Sequence, residues 1–282
     1  MSDFVGLLAN CLIEGDSFTE VEGIKVRNKI SFNLLNKTID IIQNPNLFNN
    51  KKTQGEFQNK YVQTTKIIIH EVDESNIEEY SSLVLKLSTL LSFITNSQVV
   101  YYGYEYPAGQ LKKIWASFGR TNIYHNVIEL HRGDEIKNFI TSTWKSFNYN
   151  YERRKLPLIF SYIFEAFSFN TTETKLVFSY VILESLKFTY AKEKGFTFYR
   201  GYFRDNSNKR LNFNILIEMM LKEFNIVFNV KEITELRNDI IHSGYTEKDP
   251  NHNFKIFIYC QNLIRTYLIK LLGYNGFYIQ ER

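Results

Sequence analysis

The chain has 282 residues and a mass of 33.5 kDa, with 44% hydrophobic and 16% aromatic residues and only four prolines. That composition excludes a disordered, collagen-like or linker-dominated protein and requires a substantial buried core. The formal net charge is +4, and eighteen Lys and Arg against thirteen Asp and Glu from Arg154 onward place the whole excess in the second half. Such a bias is compatible with a polyanionic partner without establishing one. Apolar runs are broken by Lys, Asn or Ser short of the roughly 18 residues that a membrane span needs. The opening residues lack the basic leader and small-residue cleavage site of a signal peptide. Cys11 and Cys260 sit at opposite ends and suggest neither a disulfide framework nor a metal knuckle. The expectation is a protein of the reducing cytoplasm, without membrane attachment.

In chain order, Ile24 to Phe32 alternates apolar and polar residues, and Val62 to Val72 is rich in β-branched ones; both predict strands. Between them, Asn44 to Gly55 has the composition of a loop or long hairpin tip. Glu78 to Thr95 changes to helical spacing, with Leu83, Leu87, Leu90, Leu91 and Ile94 on one broad face. Ser97 to Tyr106 and Asn126 to Leu130 return to strand character. A sheet with a helix packed across it follows, as a sandwich or open barrel.

The second half carries apolar residues at three-and-four spacing over Lys155 to Phe169, Thr172 to Lys194, Asn212 to Asn225, Val230 to Ser243 and Asn253 to Leu272. This predicts an up-and-down helical bundle. The join is placed at Asn148 to Lys155, ahead of Pro157, which suits the first turn of a helix. The fold class is therefore α+β: a β-rich N-terminal module with one long helix over residues 1–150, and an all-α bundle over 151–282.

One segment concentrates chemistry, Asn229 to Tyr245. Asn229 with Glu232 three residues on is a capping-box variant, and Gly244 suits the left-handed position that closes a helix. At about 100° per residue, Arg237 falls inside the arc of Ile233, Leu236, Ile240 and Ile241, with Asn238 and His242 flanking it. A cation on a packed face needs an acid within the bundle or an anion at an interface. Asn238 and His242 are four apart and can touch, and Arg237 lies roughly 7.5 Å from His242 along the axis, so that both can engage one phosphate.

The string Leu236-Arg-Asn-Asp-Ile-Ile-His-Ser-Gly244 resembles the Arg-x(4 to 6)-His signature of HEPN domains, in the Arg-Asn-x-x-x-His form of the ApeA-like branch. Its setting is also similar: a short helix late in a bundle, followed by a long final helix, with an isolated acid, Glu184, on an earlier one. The first half, especially Leu90 to Val100, looks like the β-rich domain that often precedes such bundles. The resemblance implies metal-independent RNA cleavage by a homodimer whose two motifs face each other. It also implies a role as a toxin or effector in anti-phage defence, with an antitoxin or defence-complex partner. RNA supplies its own nucleophile, the 2′-OH; His242 suits proton transfer, Arg237 suits stabilising the phosphate, and Asn238 would orient His242 or hold a phosphate oxygen. No cofactor or metal is expected. The alternative within this resemblance is a non-catalytic RNA-binding or scaffolding protein whose N-terminal module senses a trigger.

Other residues have competing readings. Glu184 either orients His242 or pairs with Arg237 across the bundle, or bridges Lys187 on the helix surface. Lys192 to Arg210, with Arg200, Arg204, Lys209 and Arg210 among aromatics, is either an RNA-binding loop or a long connection anchored in the core. His125, Glu129 and His131 would share one face of a strand as a weak metal site, against an ordinary polar face. Arg132-Gly-Asp134 reads as a turn, and His252 as a loop or cap residue. No Gly-rich phosphate loop is present, which argues against a nucleotide-driven motor or a Rossmann dehydrogenase.

Overall fold

The structure, a computed structural model, describes residues 2–47, 62–114, 125–243 and 245–281. The chain forms two compact units, Met1–Trp144 with Gly276–Ile279, and Lys145–Asn275 with Gln280–Arg282. Among the described residues no helix is long and apolar enough to cross a membrane.

The first unit contains β1 (Ser2–Ala9), β2 (Ser17–Val21), β3 (Ile24–Leu34), β4 (Lys37–Gln43), β5 (Gln63–Val72), α1 (Ile77–Thr95), β6 (Val100–Glu105) and β7 (Leu111–Lys113). They form one antiparallel seven-stranded sheet in the order β2-β3-β4-β5-β1-β6-β7. Among the described residues the sheet ends at β2 and β7, as one open sheet rather than a sandwich or barrel. Alternation on β3 buries Ile30, Phe32 and Leu34, and on β5 it buries Ile67 and Ile69. Val84 of α1 crosses β1 at Gly6, where a Cβ would stand 2.5 Å from a Val84 methyl; the helix lies on the sheet as expected, and only glycine leaves it room. Strand β4 pairs antiparallel with β5. The tip beyond Leu47 falls outside the described residues.

One expectation for this region is corrected. Asn126 to Leu130 is not a strand. Val127 donates to Ile94 O and accepts from Ile279 N, while the Asn126 side chain turns onto Ile128 O, so the backbone is satisfied by single bonds rather than a ladder. The segment Asn148 to Lys155, where the join was placed, belongs largely to a helix, α2 (Gly133–Arg153), and the two units divide at Trp144 and Lys145 on that helix. Ile136, Phe139, Ile140, Phe147 and Tyr151 recur at helical spacing and are buried, and Asn150 bonds back to Ser146 O. The break comes at Lys155, in the left-handed region at φ 54°, directly before α3 (Leu156–Ser168) with Pro157 in its first turn.

The second unit continues with α4 (Thr172–Glu193), β8 (Thr197–Tyr199), β9 (Tyr202–Arg204), β10 (Arg210–Leu211), α5 (Phe213–Lys222), α6 (Val230–Ser243) and α7 (Pro250–Leu271). Helix α4 is central: it packs against α3, α5, α6 and α7, so apolar residues occupy most of its circumference. The helical expectation holds, with one correction to an all-α bundle. Lys192 to Arg210, with Leu211, contains a three-stranded antiparallel sheet, β10-β9-β8. Its Phe203 and Leu211 are buried with Ala191 and Leu216.

Candidate functional site

Helix α6 begins as its sequence suggests. Asn229 Oδ1 accepts from Lys231 N at 3.1 Å, but the reciprocal half of the capping box is replaced: the Asn229 N–H donates to the Tyr259 hydroxyl at 2.6 Å rather than to Glu232. Gly244 lies outside the described residues. Ile233, Leu236 and Ile240 are buried against the bundle, and Thr234 donates to Asn214 Oδ1, fixing α6 to the start of α5. Ile241, expected in the same apolar arc, is instead 47% exposed. It stands at the edge of the packed stripe and lines an open groove.

Arg237 is half-buried, with its side chain 22% exposed. Its Nη2 donates to Glu184 Oε1 on α4 at 2.7 Å, and its Nη1 donates to Asn238 Oδ1 at 3.2 Å. Its Cζ stands 4.8 Å from the centroid of the Phe213 ring, at the first turn of α5. The other carboxylate oxygen of Glu184 accepts from Lys187 Nζ, which lies 5.2 Å from the same ring centroid. Both readings of Glu184 as an ion-pair partner thus hold together. A guanidinium carries five N–H donors, so both terminal nitrogens of Arg237 keep one free for a ligand.

The groove beside this cluster has a volume of about 380 Å³. Leu158, Val181, Phe188 and Ile241 give it apolar walls, and Lys155, Arg237 and Glu184 give it charge. Tyr180, one turn before Glu184, also lines it; its hydroxyl is buried without a hydrogen-bond partner among the described residues, as is Arg237 Nε. Burial raises the Tyr180 hydroxyl well above the usual tyrosine range, with the nearby Arg237 charge opposing. His242 is exposed, one residue beyond Ile241, and among the described residues has no hydrogen-bond or ion-pair partner. Asn238 is exposed as well, and its amide is engaged by Arg237 rather than by His242.

The basic segment splits between the two readings given to it. Phe203 is core, while Phe198 and Tyr199 are 45% and 49% exposed. Phe188, on the groove wall, meets Phe198 at 5.5 Å and Phe203 at 5.2 Å, which puts the small sheet beside the groove. Arg204 is occupied internally, by Asn208 O, Asn208 Oδ1 and the Tyr202 hydroxyl. Arg200 stacks over Tyr199 at 5.1 Å and Arg210 over Tyr202 at 4.4 Å. Arg200, Lys209 and Arg210 are exposed. Sequence reasoning missed Phe213 and Tyr180 and met Lys187 only as a rival partner for Glu184. The signal for Tyr180 was its place four residues before Glu184 on the same helix.

The metal reading of His125, Glu129 and His131 fails with the strand that was to align them. His131 pairs with Glu14 at 2.7 Å, and no group of three metal-binding side chains occurs among the described residues. Arg132 pairs with Asp134 and Glu135, and Gly133 already begins α2. His252 lies in the first turn of α7, which starts at Pro250 with Asp249 as its cap. Cys11 and Cys260 are free and buried, and desolvation pushes the Cys11 thiol up to about 12 and the Cys260 thiol higher.

A comparison of the chain with protein families, curated proteins and solved structures finds no match.

Proposed function

We propose that this chain is a metal-independent endoribonuclease of the HEPN kind, with Arg237, Asn238 and His242 as its working residues. The observation that carries the reading is the state of Arg237. A carboxylate and an aromatic ring hold its guanidinium at the wall of an open groove with donors to spare, and an exposed His242, without a partner among the described residues, follows on the same helix. In this reading the phosphodiester sits against Arg237, and the 2′-OH attacks phosphorus as His242 takes its proton. The P–O5′ bond breaks to give a 2′,3′-cyclic phosphate and a 5′-OH, the 5′ oxygen taking up a proton. Arg237 offsets the charge that builds on the phosphate oxygens, and Asn238 steadies the guanidinium.

Two proton transfers suit two copies of His242 across a homodimer. The exposed Leu158, Phe188 and Ile241 around the groove support docking of a second copy. Arg200, Lys209 and Arg210 would hold flanking phosphates and Tyr199 would stack a base. Arg204, bonded within its own hairpin, would shape that surface. The biological role in this reading is that of a cytoplasmic defence effector or toxin, restrained by a partner. Incubation of mixed RNA with the protein in chelator, beside Arg237→Ala and His242→Ala, tests it: cleavage by the parent and none by either variant is expected, and undiminished cleavage by both variants refutes the mechanism.

A further inference from the structure

Lys187 is placed as few lysines are. Lysine is seldom buried unless paired, yet the Lys187 side chain is only 14% exposed. Its ammonium binds Glu184 one turn back on α4 and lies over the face of Phe213. The same carboxylate binds Arg237, and the same ring carries its guanidinium. One anion and one aromatic ring therefore hold two cations from two helices.

The charges have a consequence for any anionic ligand. Within the cluster, Arg237 and Glu184 alone form a neutral pair, and Lys155, the other cation on the groove lining, is paired with Glu152 at 3.6 Å. With Lys187, which pairs with Glu184 and is not itself on the groove lining, the three side chains carry a formal charge of +1. The two cations repel each other, and the electron-rich face of Phe213 eases that repulsion while setting the guanidinium plane.

We propose that Lys187 and Phe213 are positioning residues of a phosphodiester-binding site. Lys187 offsets the charge of Glu184 so that the charge of Arg237 serves the ligand, and Phe213 fixes the orientation of Arg237. This rests on the reading that Arg237 receives an RNA phosphate. The competing account is an ordinary i,i+3 ion pair that tethers one helix turn and has no effect on binding.

The test is equilibrium binding of a short fluorescent single-stranded RNA to the full chain over a salt series, by anisotropy. The RNA is 2′-O-methylated so that it lacks the nucleophile and stays intact. Lys187→Met keeps the aliphatic stem and removes the charge. It is expected to weaken binding about tenfold and to reduce the slope of log affinity against log salt by about 0.7, the loss of one effective charge on a single strand. Lys187→Arg restores both. Phe213→Leu weakens binding and leaves the slope unchanged.

Parent-like affinity and slope in Lys187→Met overturn the proposal, as does a loss that Lys187→Arg fails to recover. Cleavage of unmodified RNA is scored separately. Binding that depends on Lys187 without any cleavage leaves this inference standing and removes the ribonuclease reading. Cleavage with binding indifferent to Lys187 does the reverse, and a parent chain that binds no RNA removes both.

Discussion

Glu184→Gln is the substitution that puts the most weight on the cluster at the groove. It keeps the shape of the side chain and removes the one negative charge between Arg237 and Lys187, leaving two cations against a single ring. Removing one partner of a fully buried ion pair costs about 3–5 kcal/mol, and an exposed pair is worth about 0.2–1 kcal/mol. Glu184 is 35% exposed, Arg237 22% and Lys187 14%, so solvent screens part of the loss, and a cost of about 2 kcal/mol is expected. With a urea slope of about 2 kcal/mol per molar, the midpoint falls by roughly 1 M. Urea unfolding followed by far-ultraviolet circular dichroism reads this. Adding Lys187→Met removes the cation–cation repulsion and should recover about half of the loss, a non-additivity expected of side chains in one network. A Glu184→Gln change within about 0.5 kcal/mol of the parent, as at an ordinary surface site, refutes the clamp.

Three further outcomes follow from the packing and the titrating groups. Arg154 is buried and its carboxylate partner is Glu193; Glu193→Gln leaves that guanidinium without its counter-charge and should cost about 3 kcal/mol in chemical denaturation. Leu236 is fully buried beside Arg237, and Leu236→Ala should cost about 2–5 kcal/mol and raise hydrogen exchange along α6. In the first unit, His70 bridges Asp40 at 2.9 Å and Asp3 at 3.0 Å. The hydrogen bond to Asp40 chiefly raises its pKa above the usual histidine value, against the opposing effect of burial. Its stabilisation is therefore complete below the unfolded value of about 6.5 and is lost as pH rises through the raised folded value. Burial of Asp40 opposes ionisation, but bonds from Lys29, Ser31 and His70 outweigh it and hold its carboxyl low, so its contribution is present above about 3.9 and fades on acidification through the folded value. His70→Ala should flatten the stability profile from about pH 6.5 upward, through the raised folded value; a profile of unchanged slope there refutes the assignment.

Regular periodicity carried most of what could be read from the sequence. Helix α6 was legible at its start because a cap residue and a three-and-four apolar stripe agree. Helix α2 was hidden because Asn148-Tyr-Asn-Tyr has the composition of a connector, whereas its Phe139, Phe147 and Tyr151 pack at helical spacing. Strands of two or three residues, such as β8 to β10, are too short to show a period. The run from Asn126 to Leu130 has strand-like residues but no ladder, and pairing is not a property of the run itself. Strand β1 passed unread, although it lies inside the sheet between β5 and β6 and its Gly6 receives Val84. At the site, Arg237, Asn238 and His242 were visible on one helix. The pairings of Glu184 with Arg237 and with Lys187 were legible as alternatives, but not that both hold at once, because two of the three lie on one helix and the third comes from another. The ring of Phe213 beneath both cations depends on where α5 begins, and nothing local reports that.

The central claim, cleavage by the RNA's own 2′-OH under His242, is tested most directly by the chemistry of the cut ends. An oligonucleotide carrying a mapped cleavage site is incubated in chelator in two forms, all-ribose and with a single 2′-deoxy substitution at the nucleotide 5′ of the break. The expected result is a 2′,3′-cyclic phosphate from the ribose form, no cut at the deoxy position, and no cyclic product with His242→Ala. Cleavage at the deoxy position, or a 5′-phosphate end, contradicts the account.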